Sequence, residues 1–384
     1  MATGTFRSGN AITLLESGTE YFPALEAAIL NAQREIYLET YIFADDETGR
    51  RIADALMRAV VRGVRVGVVV DGFGSRLITK TLVQEMRKRG IKIFVYRQEV
   101  TSLRFHRRRL RRLHRKIAII DGTIAFVGGI NIIDDVHIPE SIPPRYDYSV
   151  RIEGPLLNDI YPVATQLWRH LYWLHFQGSF LPPRSLPVIR TAGSTAAAFL
   201  VRDNLRHRRD IEQAYLRAIA AAQNEIVIAN AYFLPGKRFR RALTDAAARG
   251  VRVVLLLQGR VEYFWLHYAT RALYGSLLSG GVEIVEYHKS FLHAKVAVID
   301  LEWATVGSSN IDPFSLMLAR EANVVIRDQT FARQLRDSLE KAMIDGATPV
   351  QGGAETRSVM ERILVWTCYE LARFVMGLFG YEQD

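Results

Sequence analysis

Two kinds of apolar pattern alternate along this chain. In "AAILNAQREIYLETYIF" (27–43) an apolar stretch of helical character runs into a β-branched stretch, so the segment reads as helix then strand. The same order returns in "RAIAAAQNEIVIANAYF" (217–233), and "RGVRVGVVVDG" (62–72) returns as "RGVRVVLLLQG" (249–259). Each half therefore predicts helix, strand, helix, strand, with further strands beyond. Helical runs that alternate with β-branched runs build α/β units around mixed sheets. The expected fold is α/β: two similar halves plus an apolar C-terminal helix. The stretch "QGSFLPPRSLPVIRTAGST" (177–195), with its prolines and small polar residues, marks the junction. A boundary near Pro187 gives halves 1–186 and 187–350 and a tail 351–384.

Inside two of the aliphatic runs lies the same polar signature, His-x-Lys-x₄-Asp: His114, Lys116, Asp121 and again His293, Lys295, Asp300. Gly128, Gly129 and Asn131 follow the first copy, and Gly307, Ser308 and Asn310 follow the second, every pair separated by 179 positions. One such signature fixes too few positions to mean much. Two copies with matching downstream residues point to one active site assembled from two related halves. Alternation in "HRKIAIIDGTIAFVGG" (114–129) puts His114 and Lys116 on one strand face. Asp121-Gly122 reads as a two-residue hairpin loop, which would set Gly129 opposite His114 and leave room there for a ligand. In the second copy Asp300-Leu301-Glu302 stands at the turn, so a hairpin there rests on the shared spacing.

Both motifs, with Gly-Ser-x-Asn after the second, resemble the phospholipase D superfamily. "LHRKIAIIDGTIAFVGGINI", "YDYSVRIEGP" and "FLHAKVAVID…VGSSNIDPFSL" are similar to bacterial cardiolipin synthases of the short type, without an N-terminal transmembrane region, over about Leu14 to Ile326. One departure is Ala319-Arg320-Glu321, where such enzymes often carry Asn, an apolar residue and Glu; the glutamate is kept. The resemblance implies halves packed about a pseudo-twofold axis with the histidines facing one another, neither half being active alone. It implies phosphatidyl transfer to a phosphatidylglycerol hydroxyl through a phosphohistidine. One imidazole attacks phosphorus while the other protonates the leaving alkoxide and later deprotonates the incoming alcohol. His114 is taken as nucleophile and His293 as acid/base.

Two histidines and two lysines can supply a nucleophile, a proton donor and cationic stabilisation without a metal or other cofactor. Lys116 and Lys295 are expected on the non-bridging phosphate oxygens, aided by Asn131, Ser308 and Asn310 as neutral donors. Asp121 and Asp300, an odd number of residues from their histidines and toward a turn, are expected to fix the loop. Glu321 resembles the family's orienting partner for the second histidine, and Asp147 is the candidate for the first.

Charge sharpens the picture of partners. The formal net charge is +10, and "RFHRRRLRRLHRK" (104–116) alone holds seven arginines and one lysine with no acid. Such a run beside the first motif fits an anionic membrane surface, each basic group near an anionic leaflet contributing about 1 kcal/mol. Nucleic acid is the weaker partner, because no aromatic ladder is interleaved with the basic residues. The single cysteine, Cys368, forms no intrachain disulfide, which fits a reducing compartment. The N-terminal stretch lacks the apolar core of a signal peptide, and "ILVWTCYELARFVMGLFGY" (363–381) is interrupted by Glu370 and Arg373. Arg362, Trp366, Glu370 and Arg373 share one sector of a helical wheel whose remaining perimeter is apolar, the pattern of an interfacial anchor or of a helix packed on the body. The anchor reading places the protein peripherally on the cytoplasmic side of the cell membrane. Tyr263, Phe264, Trp265, His267 and Tyr268 read first as a core helix, and otherwise as a rim touching lipid. The competing activities are a phosphodiesterase or nuclease using the same two histidines, and a non-catalytic scaffold, which two intact motifs disfavour.

Overall fold

The computed structural model describes residues 4–97, 112–135, 144–174, 189–203, 207–312, 319–351 and 359–378. Pro187 and most of the arginine run lie outside the described residues. The first half contributes strands β1 (Arg7–Glu16), β2 (Glu35–Thr40), β3 (Arg65–Asp71), β4 (Lys92–Tyr96), β5 (Arg112–Leu113), β6 (Lys116–Ile120), β7 (Ile124–Gly128) and β8 (Tyr148–Glu153). The second contributes β9 (Thr195–Arg202), β10 (Glu225–Asn230), β11 (Arg252–Gln258), β12 (Glu283–Tyr287), β13 (Lys295–Ile299), β14 (Trp303–Gly307), β15 (Ala319–Arg327) and β16 (Ala347–Pro349).

Strand order shows the duplication directly. From one edge it runs β4-β3-β2-β6-β7-β8-β1, continues into β9-β15-β14-β13-β10-β11-β12, and ends at β16. The two halves mirror one another about the antiparallel β1–β9 pair, where Arg7 faces Ala197 and Asn10 faces Thr195. Within each half three strands are parallel (β2-β3-β4, β10-β11-β12) and the other strands of the continuous order antiparallel, the mixed sheet expected for these α/β units, while β5 stands off that order and pairs in parallel with β15. Buried Asn10 pins the seam: its amide donates to the carbonyls of Arg7 (2.6 Å) and Thr195 (3.0 Å), and its oxygen accepts from Leu156 N (2.8 Å).

Helices cover both faces, which is why strands such as β6 are continuously aliphatic and buried at all five positions. On one face of the first half, helices Ser17–Asn31 and Glu47–Val61 bury Leu25, Ile29, Ile52 and Leu56. On the other, helix Leu157–Leu174 sets Trp168 against Phe94 and Tyr37. Helices Asp210–Ala221 and Lys237–Ala248 repeat the outer layer in the second half, and Gln329–Gly346 repeats the inner one. The inner core is common to both halves, joining Ile117, Val127 and Val150 to Val296, Val306 and Val324. Each such side chain contributes about 1.5–3 kcal/mol on burial, so parting the halves would expose a large part of what holds either together.

The C-terminal helix, Val359–Leu378, packs on the body along one face and leaves apolar side chains exposed along another. Val365, Cys368 and Ala372 are buried against the body, close to helix Phe264–Arg271, while Val359, Met360, Ile363, Trp366 and Phe374 remain exposed. Among the described residues no helix is long and apolar enough to cross a membrane.

Candidate active site

The histidines do not sit inside their strands as simple alternation predicts. The chain breaks from sheet pairing at His114-Arg115 and again at His293-Ala294, with Lys116 and Lys295 opening β6 and β13. The reason is a competing partner from the other half. Arg112-Leu113 pair in parallel with Ala319-Arg320, and His114 N donates to Arg320 O (3.0 Å). Leu292 bridges in parallel to Tyr146, and His293 N donates to Tyr146 O (2.8 Å). Each histidine is thus held by its own half on one side and by the opposite half on the other.

That exchange decides which carboxylate meets which imidazole. Glu321 follows Arg320, and its oxygens lie 3.0 and 3.1 Å from Nδ1 of His114. Asp147 follows Tyr146, and its Oδ2 lies 2.6 Å from Nδ1 of His293. The sequence reading had the partners the other way round, Glu321 on the second histidine and Asp147 on the first. The correction has a physical cause: a carboxylate in β15, or just before β8, is carried to the strand that docks across the halves rather than to the neighbouring strand of its own half. With both Nδ1 atoms engaged, Nε2 is the ring nitrogen left to face a ligand. Both imidazoles line one cavity of about 550 Å³, together with Tyr41, Asn131, Arg145, Tyr232, Glu262 and Asn310 among others.

Residues at equivalent downstream positions serve the carboxylates. A Cβ on Gly129 would stand 2.3 Å from Asp147 Oδ1, so this glycine makes room for the carboxylate and not, as expected, for a ligand beside His114. Its counterpart Ser308 is fully buried and donates its hydroxyl to Glu321, accepting in turn from Ala322 N (3.1 Å). That hydroxyl is committed to the glutamate and is not the phosphate donor predicted. Asn131 lines the cavity and accepts from Ile42 N (3.2 Å); Asn310 lines it as well.

Asp121 and Asp300 lie far from the imidazoles. Asp121 accepts from the backbone N–H groups of Gln33, Arg34 and Glu35 at 2.7–2.9 Å, and Asp300 from those of Gln223, Asn224 and Glu225 at 2.8–2.9 Å. Both take positive φ (54° and 53°) and begin a three-residue loop, with Ile120 paired to Ile124 and Ile299 to Trp303. The Asp-Gly dipeptide had suggested a two-residue loop. The third residue moves the register by one, so Gly128 pairs with Lys116 and Gly129 is not opposite His114.

Comparison with known proteins fits this geometry. The family model described as "Cardiolipin synthase, PLD-like domain" matches residues 25–137 and 215–343, one segment in each half. Cardiolipin synthase B of Salmonella typhimurium is 41% identical over 357 residues, covering 90% of this chain and 83% of the relative. The chain belongs to the cardiolipin synthase, PLD-like domain family. Cardiolipin synthase B of Escherichia coli K12 is 40% identical over 346 residues, covering 87% and 81% of the two chains. In fold, phosphatidylserine synthase of Haemophilus influenzae Rd KW20 superposes with a TM-score of 0.71 at 15% identity, over 96% of this chain and 95% of that one.

This member of the cardiolipin synthase family holds the charged groups of its site in buried positions. Lys116 and Lys295 are buried; each Nζ donates to the carbonyl of the histidine two residues before it, and Lys295 lies 3.5 Å from Asp147. Burial lowers Lys116 to about 7 and Lys295 to about 8, even though Glu321 and Asp147 respectively oppose the shift. Burial also lowers both histidines, His293 well below the usual value with Lys295 and Arg145 adding to the effect. Glu321 is held below the usual carboxylate range: burial alone would raise it, but His114 and Lys116 outweigh that. Burial raises Asp147 in spite of Lys295.

Two positioning residues escaped the sequence reading. Asp71 Oδ2 accepts from Leu113 N (2.8 Å), and Gln258 Oε1 accepts from Leu292 N (3.1 Å). Each therefore fixes the residue just before a histidine. They occupy equivalent places at the ends of "RGVRVGVVVD" and "RGVRVVLLLQ", but as different residue types, so identity between the copies does not reveal them.

Proposed function

We propose that this protein is a cardiolipin synthase, a phosphatidyltransferase that moves a phosphatidyl group from one phospholipid to a phosphatidylglycerol hydroxyl. One observation carries the reading: two histidines from distant parts of the chain share a cavity, each oriented by a carboxylate of the opposite half and flanked by a buried lysine. In the first step Nε2 of His114 attacks phosphorus; an N–P bond forms, the P–O bond to the headgroup breaks, and His293 protonates the departing alkoxide. In the second, the acceptor hydroxyl gives its proton to His293 and its oxygen displaces His114. Lys116 and Lys295, with Asn131 and Asn310, stabilise the non-bridging oxygens. Asp121 and Asp300 hold the loops behind the strands. Residues 1–186 and 187–350 act as the two halves of this single site. With labelled phosphatidylglycerol in mixed micelles, the purified protein is expected to yield a diphosphatidyl product. Phosphatidic acid without that product would reject synthase activity.

The free enzyme holds both lysines near the point of losing their charge, and His293 neutral. A phosphodiester anion entering the cavity favours every protonated partner, so protonation of His293 accompanies substrate binding. The sign follows: kcat/KM, which reports the free enzyme, is expected to fall as pH rises through about 7 to 8, where Lys116 and Lys295 deprotonate. The corresponding limb in kcat lies at higher pH. A pH profile of both parameters checks this, and coincident limbs would contradict the coupling.

Access to lipid fits peripheral attachment, with residues 351–384 as the membrane-associated tail on the cytoplasmic leaflet. Leu371 and Ala372 of the C-terminal helix line the catalytic cavity, as do Tyr263 and Trp265. Tyr263, Phe264 and Trp265 are 59%, 46% and 58% exposed while Tyr268 packs on the core, so the core-helix reading holds for one face of that cluster, and we read the three exposed rings as the lipid-facing rim. Loss of one large apolar side chain from a membrane-inserted face costs about 1.5–3 kcal/mol. The double substitution Trp265→Ser/Trp366→Ser is therefore expected to weaken sedimentation with anionic vesicles by at least ~100-fold; unchanged partitioning would place the membrane face elsewhere.

A further inference from the structure

The chemistry is duplicated, but the cavity around it is not. Beside His114 stands an aromatic ring: Tyr41 lies 4.8 Å from it, edge to face, and the next residue, Ile42, lines the cavity with Asn131, which accepts from its N–H. Beside His293 the wall is polar. Tyr232, whose ring centroid is 6.4 Å from that of His293, donates its hydroxyl to Glu262 Oε2 (2.6 Å). Arg145 donates to Glu262 Oε1 (3.0 Å), and its Nε lies 3.3 Å from Asp135 Oδ1. All four residues line the cavity, and the charges of Glu262 and Arg145 act directly on His293.

The repeat shows that two members of this wall, Tyr232 and Glu262, lack a like residue at the matching positions of the first half. In the aligned segments Ile42 stands where the second half has Tyr232. At the offset that matches 62–72 to 249–259, Ser75 stands where it has Glu262, and Ser75 is buried, accepting from Phe43 N (3.0 Å) and donating to Tyr41 O (2.9 Å). The first half spends these two positions on backbone support and apolar surface, whereas the second presents a phenol and a carboxylate; Arg145 and Asp135 reach the same wall from the first half.

We propose that Tyr232, Glu262, Arg145 and Asp135 form a headgroup subsite that binds the neighbouring hydroxyls of a glycerol-type polyol. The proposal rests on the transfer reaction above and refines it. If His293 protonates the leaving alcohol and deprotonates the incoming one, both alcohols occupy its side of the cavity in turn, so one subsite serves donor headgroup and acceptor alike. Carboxylate oxygens there accept hydrogen bonds from hydroxyls not undergoing reaction, and a polyol lacking one of them leaves a buried acceptor unpaired.

The test uses the full-length protein with phosphatidylglycerol vesicles and compares free glycerol with 1-propanol as phosphatidyl acceptors, scored as a ratio of rates. In the wild type, glycerol is expected to exceed 1-propanol by at least tenfold. Glu262→Gln and Tyr232→Phe are each expected to reduce that ratio severalfold, Glu262→Gln to near unity, in protein that unfolds thermally like the wild type. Tyr232→Phe keeps the ring and covers the event that Glu262→Gln misfolds. An unchanged ratio in the folded variants, or a wild-type preference for ethanolamine over glycerol, would overturn the subsite while leaving the transferase reading intact. No transfer to any alcohol by the wild type would overturn both.

Discussion

His114→Ala is expected to abolish phosphatidyl transfer with every donor, whereas His293→Ala is expected to fail only where the leaving group needs a proton. The distinction comes from the chemistry assigned to each ring. Without the nucleophile no phosphohistidine can form, and a loss of about four orders of magnitude or more is the scale for removing such a group. Without the general acid the alkoxide of glycerol must depart unprotonated, at a cost of about 10²–10⁴ in rate. A nitrophenolate leaves readily without a proton. Given a nitrophenyl phosphodiester donor, His293→Ala should therefore still accumulate a covalent phosphoenzyme, detectable by acid-sensitive, alkali-stable label and by mass at the His114 peptide. His114→Ala should accumulate none. The reverse pattern would exchange the two roles. Full activity in either variant would end the case for a shared site, because both imidazoles line the same cavity and neither is remote from the other's lysine.

Much of this arrangement was legible in the sequence because the duplication repeats identities as well as patterns. The aliphatic runs around His114 and His293 gave the strands, the repeated helix–strand segments gave the α/β halves, and the matched spacing gave the paired site. What was lost depended on interactions between halves. Asp147 and Glu321 were found as carboxylates, but their partners were exchanged, since the choice is made by parallel pairing of Arg112-Leu113 with Ala319-Arg320 and of Leu292 with Tyr146. No local pattern encodes that contact, which joins residues 146 or more positions apart.

Other misreadings were local. The strong Asp-Gly hairpin signal gave a loop one residue too short, and a one-residue slip moves every downstream neighbour. The second copy, Asp300-Leu301-Glu302, has the same three-residue loop without a glycine, and Leu301 takes φ 55°. There the three N–H donors to each aspartate, not the dipeptide, determine the turn. The aromatic cluster at 263–268 was assigned to the core by composition; Tyr268 does pack there, but that Tyr263 and Trp265 line the cavity and that their helix lies against the C-terminal helix are tertiary facts. Ser308 was read by its hydroxyl chemistry, and only the buried contact with Glu321 shows where that hydroxyl is spent.

Because the carboxylates cross between halves, their variants should reproduce the defect of the distant histidine and not that of the nearby one. Glu321→Gln removes the charged acceptor at Nδ1 of His114, leaving the ring free to adopt the wrong tautomer or to turn; in other catalytic triads an isosteric change of this kind costs about 10⁴ in rate. It is expected to slow phosphoenzyme formation from glycerol-type and nitrophenyl donors alike, as a nucleophile defect must. Asp147→Asn acts on His293 and is expected to slow transfer from phosphatidylglycerol by about 10²–10⁴ while largely sparing phosphoenzyme formation from the nitrophenyl donor. Single-turnover rates of both variants with both donors provide four numbers that separate the crossed pairing from the pairing within halves, which predicts the opposite assignment. Combination makes the test sharper. Asp147→Asn added to His293→Ala should cost little more than His293→Ala alone, since the carboxylate acts through a ring that is no longer there, whereas Asp147→Asn added to Glu321→Gln should cost nearly the product of the two effects. A single substitution that slowed both steps equally would instead mean that the two pairs respond as one network, through the lysines buried between them.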